Sequence, residues 1–286
     1  MFERDLLKDH VVLITGGGTG LGLAMATRLS SLGADLFLVG RRQEPLEKAA
    51  AGLIAAGGRC GFATCDVRDY AAVDAAIAAA EAQFGRVTTL INNAAGNFIA
   101  RTETLSPNAF TAVVGIVLNG TFHCTLALGK RWIAARQSGT ILNIVATYTE
   151  TGSGFVVPSA CAKSGVLAMT RSLAVEWARH HIRLNAVAPG PFPTEGAWSR
   201  LLPSAEYEEQ LKRMHPMKRF GRHEELANLV AFLVSPQADY INGECVAIDG
   251  GVRLRSGSGF SHLVDLPDSA WDAMEAARKA AAARER

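Results

Sequence analysis

The feature that most constrains this chain is an alternation. Short β-branched apolar runs recur along it, separated by Ala-rich stretches whose apolar residues fall at helical spacing. The runs are Val11 to Thr15, Asp35 to Val39, Gly61 to Cys65, Thr89 to Asn93, Thr140 to Val145, Arg183 to Ala188 and Glu244 to Ile248. Helix-end signals lie between them: Gly33 after the first helix, Asp69 before the third, Pro107 opening the fourth and Glu224-Glu225 in a late first turn. Repeated βα units of this kind predict an α/β fold, a single Rossmann-type doubly wound seven-stranded parallel sheet with helices on both faces.

Composition narrows the class further. With 49% hydrophobic and 20% charged residues, the chain excludes disorder, collagen and coiled coil. Its 286 residues carry no Pro/Ser-rich linker, so one domain over 1–286 is expected, with an insertion at 195–216 and a tail at 252–286. The tail reads as a helix from Ala270 to Arg284, capped near Asp268 or Ser269. The formal charge is +2 and interleaved, leaving no basic stripe for nucleic acid. Five scattered cysteines without CxxC or metal-ligand spacing are expected to be reduced, mostly buried thiols, and no metal site is expected. No run of 18 apolar residues suggests a membrane span, the N-terminus lacks an apolar leader, and the terminal Arg-Glu-Arg is not a peroxisomal address. The expectation is a cytoplasmic protein.

The first strand ends in Thr15-Gly16-Gly17-Gly18-Thr19-Gly20-Leu21-Gly22 and runs straight into a helix. A turn of this composition lets backbone N–H groups approach a pyrophosphate where the helix dipole favours negative charge. The second strand ends Leu38-Val39-Gly40-Arg41-Arg42, with no carboxylate where an NAD site places one. Arg41, with Arg42 beside it, suits the 2′-phosphate of NADPH through its guanidinium fork, although both also fit as solvated residues at a helix start.

These residues resemble the short-chain dehydrogenase/reductase family, and the resemblance runs over almost the whole chain. Thr15-Gly16-x-x-x-Gly20-x-Gly22, Asp66-Val67, Asn92-Asn93-Ala94-Ala95-Gly96 and Pro189-Gly190 fall in the family's order. The resemblance implies that Gly16, Thr19, Gly20, Leu21 and Gly22 line the cofactor turn and that Asp66 and Val67 meet the adenine. It further implies that Asn93, Ala94 and Gly96 lie near the cofactor, and that Pro189 and Gly190 lead to Thr194, which holds the nicotinamide amide. Read from the residues alone, Asp66 is also a turn or cap acid and Asn93 a turn amide.

The catalytic stretch departs from the usual pattern. Most members of the family pair a Tyr with a Lys four residues later and a Ser about a dozen upstream. Here Lys163 stands, but Ser159 takes the tyrosine's place and Tyr148 lies near the serine's. A serine hydroxyl is too weak an acid to protonate an alkoxide unaided, whereas a phenol starts near a pKa of about 10. With Asn92 to Phe98 and Leu118-Asn119-Gly120, the exchange resembles the NADPH-dependent 2,4-dienoyl-CoA reductases within that family. This implies hydride transfer to a dienoyl thioester, a dienolate protonated at Cα, and a 3-enoyl-CoA product; the alternatives are another short-chain reductase, acting on a trans-2-enoyl-CoA or a 3-oxoacyl ester, and a non-catalytic NADP(H)-binding protein. The donors to the developing oxyanion would be Tyr148 and Asn119; Lys163 would bind the nicotinamide ribose and Ser159 would orient the site. Ser159 after Pro158 equally suits a helix N-cap.

The segment Glu195 to Pro216 is expected to cover the acyl chain, with Arg200 on a CoA phosphate or simply solvated. Phe98 is expected on the diene or in the core. An acyl-CoA is the implied partner, and the resemblance also implies a homo-oligomer, a tetramer.

Overall fold

The computed structural model describes residues 2–194, 205–255, 263, 265, 267–273 and 276. Seven parallel strands form one sheet: β1 (Val11–Thr15), β2 (Asp35–Gly40), β3 (Cys60–Thr64), β4 (Thr89–Asn92), β5 (Gly139–Ile144), β6 (Ile182–Pro189) and β7 (Cys245–Ile248). Their order across the sheet is β3-β2-β1-β4-β5-β6-β7. The helices are α1 (Gly20–Ser30), α2 (Gln43–Ala55), α3 (Tyr70–Phe84), α4 (Pro107–Val114), α5 (Gly120–Ala134), α6 (Tyr148–Thr151), α7 (Val157–Glu176), α8 (Ala205–Met214), α9 (His223–Val234) and α10 (Val252–Arg255).

Period-two patterning divides the core. Val12 and Ile14 of β1 turn to the face covered by α1, α2 and α9, while Val11 and Leu13 turn to the face covered by α3 and α5. A third cluster joins α4 and α7 through Val113, Val166 and Leu167. Side-chain caps open two of the helices where the sequence signals their starts. Asp69 accepts from the Ala71 and Ala72 amides at 2.9 and 3.3 Å, and Ser106 caps α4 ahead of Pro107. Because β1 pairs with β2 on one side and β4 on the other, the order reverses at β1, and the crevice beyond its C-terminal end is the ligand position of such sheets.

The strands match the sequence reading to within a residue at each end, and the departures have local causes. Asn93 leaves the fourth strand because its N–H donates to the Thr15 hydroxyl at 3.0 Å instead of to the ladder. In the tail, residues 268–273 are helical, but Asp268 and Ser269 are not caps: the Ala270 amide donates to the Pro267 carbonyl at 2.9 Å, so both lie inside the first turn. The expected continuation to Arg284 lies outside the described residues, apart from residue 276.

One element was not legible. Between α4 and α5 the helix widens into a π-turn over Gly115–Asn119, giving a continuous run from Pro107 to Ala134. That run is long and apolar enough to cross a membrane, yet half of its most apolar window is buried, with α5 packed on α3 and the sheet. Gly120 is required at its centre, since a Cβ there would stand 2.4 Å from Val67 Cγ2.

Candidate active site

The turn from β1 into α1 is built for close approach. Gly16 and Gly20 hold left-handed backbone at φ 67° and 54°, and a Cβ on Gly22 would sit 2.1 Å from the Gly16 carbonyl oxygen. Asn93 fixes this turn from the neighbouring strand: its side-chain amide donates to the Thr15 and Gly16 carbonyls at 3.0 and 3.2 Å, and the Ala94 amide donates to the Thr15 hydroxyl at 3.0 Å. Thr19, the N-cap of α1, makes no side-chain cap, and no acid stands in the first turn. A glycine cradle at an uncapped helix N-terminus fits the pyrophosphate of a dinucleotide.

The loop after β6 closes over this turn. The Gly190 amide donates to Ile248 at 2.9 Å, and the His223 ring bonds the Pro193 carbonyl. Thr194 then reaches the glycine turn, where its Cγ2 lies 3.3 Å from where a Cβ on Gly20 would be. Sequence reading missed His223, whose role depends on α9 folding back to residue 193, thirty positions upstream.

At the adenosine end, Arg41 and Arg42 are exposed. Asp66 is engaged by Arg68, which contributes its backbone amide at 3.0 Å and a guanidinium fork at 2.5 to 3.0 Å; this holds the Asp66 carboxyl down at about 2. Asp66 is thus a turn acid whose partner, Arg68, the sequence reading did not single out. The Arg41 charge also acts on Asp66, so two guanidinium groups, those of Arg68 and Arg41, bear on this corner. Val67 is buried against Gly120, with its carbonyl bonded by His123 at 2.9 Å.

The exchanged hydroxyls meet. Tyr148 opens α6 just beyond β5, and its OH lies 2.9 Å from Ser159 Oγ. Ser159 is not an N-cap: α7 begins at Val157 after the N-cap Val156, so Ser159 stands inside the first turn and is buried. One turn on, Lys163 is 7% exposed and donates to the Ile144 carbonyl at the end of β5. Burial lowers its pKa from 10.5 to about 8 and raises that of the Tyr148 phenol, the Ser159 bond partly opposing the latter. Asn119 ends the π-turn, exposed and without a side-chain hydrogen bond among the described residues. The preceding Leu118 packs where a Cβ on Gly165 of α7 would come within 3.0 Å. π-turns of this kind are frequent at functional sites. Phe98 is not a core aromatic; it is 37% exposed. Arg200 lies outside the described residues, as do residues 195–204 of the expected substrate cover, while 205–214 form α8.

Comparison with known proteins places this geometry. Residues 16–253 match a family model described as enoyl-(acyl carrier protein) reductase. A Caenorhabditis elegans protein named probable 2,4-dienoyl-CoA reductase 3, (3E)-enoyl-CoA-producing, is 43% identical over 270 residues, 93% of this chain and 86% of the relative. A Bacillus subtilis protein named probable 2,4-dienoyl-CoA reductase, (2E)-enoyl-CoA-producing, is 44% identical over 249 residues, 87% of this chain and 98% of its own. The crystal structure of a short chain dehydrogenase from Bacillus anthracis superposes with a TM-score of 0.79 at 43% identity, covering 86% of this chain and 97% of that one.

Proposed function

Because the chain belongs to the short-chain dehydrogenase/reductase family, we propose that it reduces 2,4-dienoyl-CoA thioesters with NADPH, and the observation that carries this reading is the Tyr148–Ser159 hydroxyl pair beside the buried Lys163. The hydride that reaches the δ-carbon of the diene would come from NADPH when it is bound. Negative charge then develops on the thioester oxygen, and what this chain contributes are donors aimed at that charge. Burial keeps the Tyr148 phenol protonated at neutral pH, so it donates a hydrogen bond. The Asn119 amide, exposed and without a side-chain hydrogen bond among the described residues, is the second donor. Lys163 would bind the nicotinamide ribose hydroxyls and supply positive charge, while Ser159, 2.9 Å from the phenol oxygen, would fix the phenol's direction. Water supplies the proton at Cα that completes the 3-enoyl product.

Arg41, with Arg42 and Arg68 nearby, supports NADPH over NADH, since no carboxylate ends β2 to repel a 2′-phosphate. Exposed Phe110 and Phe122 on α4 and α5, Val175 on α7 and the edge strand β7 support a homotetramer, which light scattering tests.

The description of the matching family model favours a second reading, reduction of a 2-enoyl thioester. Loss of reduced-nicotinamide absorbance, measured in parallel with a 2,4-dienoyl-CoA, a 2-enoyl-CoA and a 3-oxoacyl-CoA, separates the two. Selective turnover of the dienoyl ester is expected, with NMR of the product reading its double-bond position. Turnover of the 2-enoyl or 3-oxoacyl ester alone refutes the proposal.

A further inference from the structure

Two loops flank the mouth of the site, one following Asn93 and the other joining Tyr148 to Ser159. The Ala100 amide donates to the Phe155 carbonyl at 2.9 Å and ties them together. The apolar residues at this tie are not folded inward: Phe98, Ile99 and Phe155 are 37%, 56% and 62% exposed. Single exposed apolar residues are ordinary, but here three stand on two loops that a backbone bond ties together, one following Asn93 and the other leading to Ser159.

Phe155 is the informative member. Its φ is 66°, in the left-handed region that a bulky side chain rarely adopts and glycine adopts freely. Glycines stand close by at 152 and 154, and among the described residues a Cβ on either would meet nothing within 4 Å. The backbone at 155 is held from both sides, by the Ala100 bond and by Val156, the buried N-cap of the helix carrying Ser159 and Lys163. An aromatic ring is therefore kept in solvent at a backbone position suited to glycine. Strain of this kind persists where a site uses it.

We infer that Phe155 is a specificity-determining residue, the outer wall of an apolar collar with Phe98 and Ile99 that grips the acyl chain of the substrate beyond its reacting diene. This rests on the proposed reduction of a dienoyl thioester. Each methylene the collar removes from water raises kcat/KM by up to about fourfold, so reactivity climbs with chain length until the collar is spanned.

The test is kcat/KM over a homologous series of 2,4-dienoyl-CoA esters, short to long, for wild type, Phe155→Leu and Phe155→Asn, with thermal unfolding and size-exclusion profiles of each. Asparagine tolerates left-handed backbone, so it keeps the turn while removing the apolar wall; leucine keeps the wall. The expected result is a chain-length slope retained in Phe155→Leu and flattened in Phe155→Asn, with the shortest ester affected least and NADPH affinity unchanged in both. An equal slope in Phe155→Asn, or an equal loss for every ester, overturns the inference and leaves a turn residue. A change of oligomeric state in Phe155→Asn also overturns it, in favour of a surface covered by a second copy. If wild type turns over no dienoyl ester, the proposed function fails instead, a result distinct from these.

Discussion

Replacing Lys163 with Met should stabilise the protein while destroying its activity. The ammonium is buried, and its pKa falls from 10.5 to about 8 through desolvation. At pH 7 the lysine is charged in both folded and unfolded chains, and that difference amounts to about 3 kcal/mol of penalty in the folded state. Methionine fills the same space without charge. It leaves the Ile144 carbonyl without the lysine's hydrogen bond, which costs about 1 kcal/mol. The balance favours the variant by about 2 kcal/mol, or roughly 4 °C in Tm for a chain of this size. The sign with pH follows from linkage: between pH 8 and 10.5 the unfolded lysine holds its proton while the folded one releases it, so wild-type stability rises relative to the variant. The advantage of Lys163→Met therefore shrinks through that window and reverses by about the orphaned carbonyl's 1 kcal/mol at its upper end. Thermal unfolding of both proteins without cofactor, from pH 7 upward, reads this directly. A variant that melts below wild type at pH 7, or a Tm difference that stays flat with pH, refutes the argument.

Other perturbations isolate other parts of the site. Tyr148→Phe should lower kcat by about 10²- to 10³-fold, the loss typical of one oxyanion donor, with the Kd for NADPH nearly unchanged; near-normal turnover would remove Tyr148 from the chemistry. Gly22→Ala drives a Cβ to 2.1 Å from the Gly16 carbonyl, and the forced opening of the turn should weaken NADPH binding by at least about tenfold, measured by fluorescence titration; an unchanged Kd would show that the turn does not carry the pyrophosphate. Arg41→Ala should reduce the preference for NADPH over NADH by about ten- to hundredfold, the worth of a charge-assisted contact, and an unaltered ratio of kcat/KM values would assign the 2′-phosphate elsewhere.

What the sequence disclosed depended on how local each feature is. The strands carry their evidence in period-two burial within a few residues, and Asp69 and Ser106 act within their own turns. The glycine turn and Lys163 were readable for the same reason. Arg68 escaped because only the fold of the turn after β3 shows that it occupies Asp66 from two residues away. The π-turn escaped because a single extra residue within a helix barely disturbs apolar spacing; Gly115 and Gly120, bracketing Asn119 within a helical run, were the available signal. Ser159 was ambiguous because Pro158 marks a helix start to within a residue, and only the position of Val156 puts the serine inside α7.

The exchange of hydroxyls makes chemical sense once protonation is considered. Reducing a ketone produces an alkoxide that needs a whole proton, so its phenol must be ready to ionise, with a neighbouring charge to help. At Tyr148 burial is the largest influence and acts the other way, raising the pKa, and the Ser159 hydroxyl offsets this only in part. Lys163, one helical turn beyond Ser159, donates to the Ile144 carbonyl at the end of β5. A phenol whose pKa is raised is poorly suited to surrender its proton. It is well suited to donate a hydrogen bond to an oxygen that gains charge and then loses it again, as the thioester oxygen of a dienolate does. The serine suits its new place by the same logic, since at 2.9 Å it can aim the phenol without having to ionise itself.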